Sequence, residues 1–111
     1  MTPEDVVREN FAAYLRQDRA ACEALLAEGL TFTSPQDDHI GRQAFLERCF
    51  PTAERVRRQD IIHVTAADDR DVFIMYEYEL KAGGTHRNTE LITVVDERIL
   101  QIQVFFGGAV S

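Results

Sequence analysis

The chain has 111 residues, 45% hydrophobic, 28% charged and 9% aromatic, and nineteen acids against twelve bases leave a formal charge of −7. That is the length of one domain, enough to remove about two-thirds of the unfolded surface from water without help from metals or disulfides. The acidic balance argues against nucleic acid and anionic membranes as partners, because a phosphate backbone calls for a basic face.

The N-terminal segment MTPEDVVREN carries acids where a signal peptide would carry positive charge, and it reads as the start of a helix. Thr2 suits the N-cap, Pro3 the first helical position, and Glu4 and Asp5 complement the positive end of the helix dipole. Val7, Phe11, Tyr14 and Leu15 recur on one face. A second helix starts at Asp18, with Cys22, Leu25 and Leu26 as its stripe and Gly29 as its C-terminal cap. Residues 30–34 alternate as a short strand that stops at Pro35, and Asp37-Asp38-His39 reads as a loop leading into a third helix over residues 41–50.

From about residue 57 the period changes to two. Four strands follow, over residues 57–68, 71–83, 85–96 and 98–108, joined by turns at Asp68–Asp71, Gly83-Gly84 and Asp96–Arg98. The predicted fold class is α+β: helices first, then an antiparallel meander with the helices on one sheet face, as a single domain over residues 1–111. No apolar run approaches the ~20 residues of a membrane span. Cys22 and Cys49 make neither a disulfide framework nor a CxxC pair, and no metal or cofactor is expected. The expected compartment is the cytoplasm.

The turns predict a register. Centring one hairpin on Gly83-Gly84 sets Glu77 opposite Glu90 and Met75 opposite Ile92, and a three-residue turn at Asp96–Arg98 sets Val104 opposite Glu90. The helix-facing side then carries Ile62, Val64, Phe73, Met75, Ile92, Val94, Leu100, Ile102, Val104 and Phe106, together with Glu77, Asn88 and Glu90. The other side carries His63, Tyr76, Tyr78, Leu91 and Phe105 among threonines and glutamines, and predicts a homodimer interface. Two carboxylates on an apolar face need a reason. Either Glu77 and Glu90 share a pocket as an acid/base pair, or they lie at the open end of the sheet and pair with arginines such as Arg48, Arg57 or Arg87. The expected catalytic residues are Glu90 and Glu77. The expected lining of the ligand site is Tyr14, Asp38, His39, Phe73, Met75, Asn88, Val104 and Phe106.

TFTSPQDDHI at 31–40 leading into AFLERCFP at 44–51, RNTE at 87–90 and ILQIQVFFG at 99–107 resemble, in this order, the SnoaL-like branch of the nuclear transport factor 2-like superfamily. The resemblance runs from about Pro3 to Gly107 and implies a cone, a curved sheet wrapped around the helices, with a pocket at the wide end and dimers through the convex face. It implies a cofactor-free enzyme of isomerase, cyclase or dehydratase type on a small hydrophobic or polyketide-like molecule, or a non-catalytic ligand-binding or dimerisation module. Relative to ketosteroid isomerase, the base position holds Ser34, the helix-one tyrosine position holds Phe11, and the protonated-acid position holds Glu90. One part of three is kept, which argues against steroid isomerisation by that mechanism. Glu90 is left as the stronger acid/base candidate, with Tyr14 as a substitute hydroxyl. The turn that normally uses Asp-Gly holds Asp96-Glu97.

Overall fold

Thr2 starts the first helix from both sides: its hydroxyl accepts the Asp5 N–H at 3.1 Å, and the Asp5 carboxylate accepts the Thr2 N–H at 3.0 Å. The structure is a computed structural model and describes residues 1–110. Helix α1, Pro3–Leu15, buries Val6, Val7, Asn10, Phe11 and Ala13. Just beyond it Gln17 takes a left-handed conformation, φ 56°, and its side-chain amide donates to the carbonyls of Tyr14 and Phe50. Helix α2, Arg19–Ala24, is capped by Asp18 and buries Cys22.

Strand β1 spans Leu26–Ser34, so the second helix ends earlier than its stripe predicts and Gly29 lies inside a strand. The cause is long-range. The Leu25 carbonyl accepts the Ile99 N–H at 2.7 Å, and Leu26 pairs with Ile99, so the last strand captures the chain there. The segment read as a loop forms strand β2, Asp37–Gly41, antiparallel to β1 at the sheet edge, with His39 at φ 49°. Helix α3, Arg42–Arg48, and a 3-10 helix, Phe50–Arg55, lead into β3 (Val56–Ala66), β4 (Asp71–Leu80), β5 (Thr85–Val95) and β6 (Arg98–Ala109).

The six strands form one curved sheet in the order β2-β1-β6-β5-β4-β3, with the helices on one face. Every pairing is antiparallel except β1 with β6, which is parallel and closes the helical half of the chain against the last strand. Val6, Val7, Leu26 and Leu46 meet Val72, Ile74, Ile92 and Ile99 in the core, each without solvent exposure. This is the α+β class that the order of elements predicts and the cone that the family resemblance implies. Among the described residues no helix is long and apolar enough to cross a membrane.

Two hairpins decide what faces the helices. Glu79 pairs with Thr85, so the turn holds the five residues Leu80–Gly84 and not only the two glycines. The Leu80 N–H donates to the Gly84 carbonyl at 3.0 Å and the Gly83 N–H to the Leu80 carbonyl at 2.9 Å, and Gly83 and Gly84 supply φ of 106° and 98°. Glu90 therefore lies opposite Ile74 instead of Glu77, an odd offset, and an odd offset exchanges the faces of β4. Val72, Ile74, Tyr76 and Tyr78 turn toward the helices, whereas Phe73, Met75 and Glu77 turn outward. The β5–β6 hairpin reaches the predicted pairing by a different route. Its turn has two residues, Asp96 and Glu97, both at positive φ, and an extra residue at Leu100 restores Ile92 opposite Ile102 and Glu90 opposite Val104. The insertion turns Ile99, not Leu100, into the core. A similar irregularity in β3 leaves Ile62 unpaired and 37% exposed, so Ile61 packs inward in its place.

Candidate functional site

A cavity of about 290 Å³ lies between the helices and the sheet. The middle of its sheet wall is made by alternate residues of three neighbouring strands, Tyr76 and Tyr78 of β4, Asn88 and Glu90 of β5, Val104 and Phe106 of β6, with Phe32 of β1 and Gln59 of β3 to either side. Its helical wall includes Asn10, Phe11 and Tyr14 of α1, with Cys49 and Thr52 beyond α3.

Three polar groups on the sheet wall form a hydrogen-bonded chain, while Gln59 of β3, also at the cavity, has its side-chain oxygen buried without a hydrogen-bond partner. Asn88, 7% exposed, donates its amide to the Tyr76 hydroxyl at 3.2 Å, and that hydroxyl donates to Glu90 Oε2 at 2.5 Å. Tyr76 and Asn88 are direct partners across the β4–β5 ladder and Glu90 stands two residues further along, so the pleat itself assembles the chain. The Phe11 ring meets Tyr76 edge-on, with centroids 5.0 Å apart. Glu90 is partly buried and, among the described residues, makes no ion pair. Burial pushes its carboxyl up to about 7, against the opposing pull of the Tyr76 hydrogen bond. Tyr76 is raised above the ordinary phenol range by burial and by Glu90, so it stays a neutral donor.

The hydroxyl and thiol groups of the helical wall are neutral. Thr52 donates its hydroxyl proton to the Cys49 carbonyl at 2.7 Å, which leaves Tyr14 as the donor in its 2.6 Å bond to Thr52 Oγ1. Burial raises Tyr14, and it pushes the Cys49 thiol up to about 12, helped by Asp37 and Glu90. Cys22 donates to Asn10 Oδ1 at 3.2 Å and is pushed up to about 11 by burial. Neither thiol is a thiolate near neutral pH.

The structure brings Glu90, Asn88, Tyr14, Val104 and Phe106 together at the cavity, and it places the remaining candidates elsewhere. Glu77 is on the outer face, hydrogen-bonded to Arg87 at 3.0 Å and Arg58 at 3.1 Å, which hold its carboxyl below the usual carboxylate range. Phe73 and Met75 share that face, 43% and 37% exposed. Asp38 and His39 pair with each other at 2.5 Å on β2, with side chains 93% and 66% exposed, because the edge strand carries them away from the cavity. Tyr76 and Tyr78, expected at the dimer face, turn inward. Tyr76 and Tyr78 are thus among the cavity residues that the sequence reading missed. The signal was available: Val72, Ile74, Tyr76, Tyr78 and Leu80 carry no charge, whereas the alternate set contains Glu77 and Glu79.

The SnoaL-like domain model matches residues 7–102, and the chain belongs to this family. No curated protein matches the sequence. Among solved structures, a protein from Kribbella flavida DSM 17836 is similar with a TM-score of 0.85 and 22% identity, over 92% of this chain and 84% of that one. A nuclear transport factor 2-like protein of unknown function from Mesorhizobium loti has a TM-score of 0.80 and 25% identity, over 96% and 91%. A second Kribbella flavida protein, described as a candidate ketosteroid isomerase, has a TM-score of 0.80 and 18% identity, over 98% and 80%. These likenesses support the fold.

Proposed function

We propose that the protein is a cofactor-free acid/base enzyme, of isomerase type among the isomerase, cyclase and dehydratase chemistries, acting on a small, mostly apolar or polyketide-like molecule. One observation carries the reading: Glu90 is a partly buried carboxyl at a cavity, without a cation partner among the described residues, and burial pushes it up to about 7. A group poised at the working pH both takes and returns protons. As a carboxylate it removes a proton from the carbon beside a carbonyl, forming an enolate. As the resulting acid it delivers the proton to another carbon. Tyr76, held by Asn88, fixes the orientation of the carboxylate. A single proton carrier suffices for isomerisation, and the neutral thiols and tyrosines around it supply no second one.

The second reading is a binding module without turnover. It is favoured by the occupied hydroxyls: Tyr14 gives its proton to Thr52 and Tyr76 gives its proton to Glu90, so neither is free for a developing oxyanion. Deuterium uptake beside the carbonyl of 2-tetralone separates the two. The expected result is uptake faster than buffer, rising with pH through about 7 and falling by a factor of roughly 100 or more in Glu90→Gln. Uptake at the buffer rate in the wild type rejects catalysis of this type.

The outer sheet face supports a homodimer, in which Phe73 and Met75 replace the inward-turned tyrosines beside His63, Leu91 and Phe105. Met75 pairs with His63 and Thr89, Thr89 with Phe105, and Phe73 with Leu91, so the apolar side chains form a continuous patch. The free cysteines, Cys22 and Cys49, suit the reducing cytoplasm.

A further inference from the structure

Two arginines line the opening of the cavity: Arg48 at the C-terminal end of α3 and Arg55 at the end of the 3-10 helix. Both are exposed. The acid that lines the same opening, Asp37, lies 3.6 Å from Arg48 and accepts the Ser34 hydroxyl at 3.4 Å. Arg55 has no carboxylate within 4.0 Å among the described residues, and its backbone is tied down by the Lys81 N–H at 2.8 Å. In a chain of net charge −7, the rim of the cavity that holds Glu90 is locally positive.

The two polar regions of the cavity call for different chemistry. An anion placed beside Glu90 would meet a carboxylate with no cation to offset it, so the Glu90 end accepts a neutral polar group such as a carbonyl. A guanidinium at a half-solvated rim recognises a carboxylate through paired N–H donors. We propose that the ligand is a small amphipathic carboxylate, its apolar body in the cavity, a neutral carbonyl end toward Glu90, and its anionic end between Arg55 and Arg48. This rests on the reading of the cavity as a ligand site.

The test compares 3-(4-oxocyclohexyl)propanoate with its methyl ester by calorimetric titration of the full chain. The acid is expected to bind at least about tenfold more tightly than the ester, with the advantage shrinking between about 20 mM and about 500 mM salt. Arg55→Gln and Arg48→Gln are each expected to reduce the ratio, Arg55→Gln the more. Equal binding of acid and ester, a ratio unmoved by either substitution, or no binding of either compound overturns the proposal. Carboxyl ¹³C titration of Glu90 in the ligand-free protein, together with wild-type uptake on 2-tetralone, keeps the outcomes apart. If Glu90 titrates near neutrality and uptake occurs while acid and ester bind alike, only the carboxylate falls. If Glu90 titrates in the ordinary carboxylate range, the acid/base reading falls with it.

Discussion

Glu90 carries a stability cost whose pH dependence has a definite sign. Its folded midpoint is about 7 against an ordinary value of 4.5, so between these values the folded chain holds a proton that the unfolded chain has lost. Stability through this group therefore falls as pH rises from about 4.5 to about 7, and the full penalty applies above 7. Glu90→Gln removes the penalty while keeping the shape. The expected gain in unfolding free energy is roughly 3 kcal/mol at pH 8 and under about 1 kcal/mol at pH 5. Thermal denaturation of both proteins at the two pH values checks it; an equal gain at both would mean that Glu90 has an ordinary carboxylate midpoint. A more stable protein that has lost deuterium uptake is the outcome expected of a strained functional group. At this scale the sequence was informative where a residue's environment follows from composition. A carboxylate and an amide on the helix-facing side of β5 were legible as Glu90 and Asn88, and the buried Asn88 is where that pattern placed it. Tyr76 was not, because its partner depends on which residue stands across the ladder.

At the scale of elements, turn geometry is the deciding variable. The Asp96-Glu97 turn has both central residues left-handed, at φ 51° and 61°, the requirement of the tightest hairpin, which glycine meets without strain at the second position. Glu97→Gly is expected to stabilise the protein by about 1 kcal/mol, a rise in midpoint of about 4 °C. Glu97 also pairs with the N-terminal amine, an exposed contact that salt screens, so the gain should be larger in high salt. Thermal melts of both proteins at low and high salt check this; a lower midpoint at high salt would show that the left-handed glutamate is unstrained. The four long strands were legible from their period of two, since a half-buried strand imposes alternation directly. Strand β2 and the early start of β1 were not, because edge pairing and the parallel bond to β6 are made with residues far away in the chain. The β4 register failed for a related reason: a Gly-Gly pair is compatible with a two-residue turn and with the five-residue turn found here, and local sequence does not choose between them.

At the scale of the whole molecule, the outer sheet face carries a cluster of exposed apolar side chains. Phe105 is 53% exposed in the single chain, beside Phe73 at 43% and Met75 at 37%. A stable dimer buries about 800 Å² per partner around such anchors. The wild type is expected to elute with twice the mass of the chain, and Phe105→Glu with the mass of one, by size exclusion with light scattering. The cavity is on the opposite face of the same sheet, so this substitution should leave the Glu90 titration in place; a wild-type monomer would reject the dimer. The division between sequence and tertiary structure follows from the range of the forces involved. The sequence by itself determined the α+β class and placed an acid and an amide on the helix-facing side of β5, because hydrophobic period and capping act through neighbouring residues, and its motifs carried the family resemblance. Only the tertiary structure decided that Glu90 is partnered by Tyr76 rather than Glu77, that Glu77 belongs to an arginine-held outer face, and that arginines stand at the opening. Those relations depend on hairpin length and cross-strand offset, where a change of one residue exchanges the two faces of a strand.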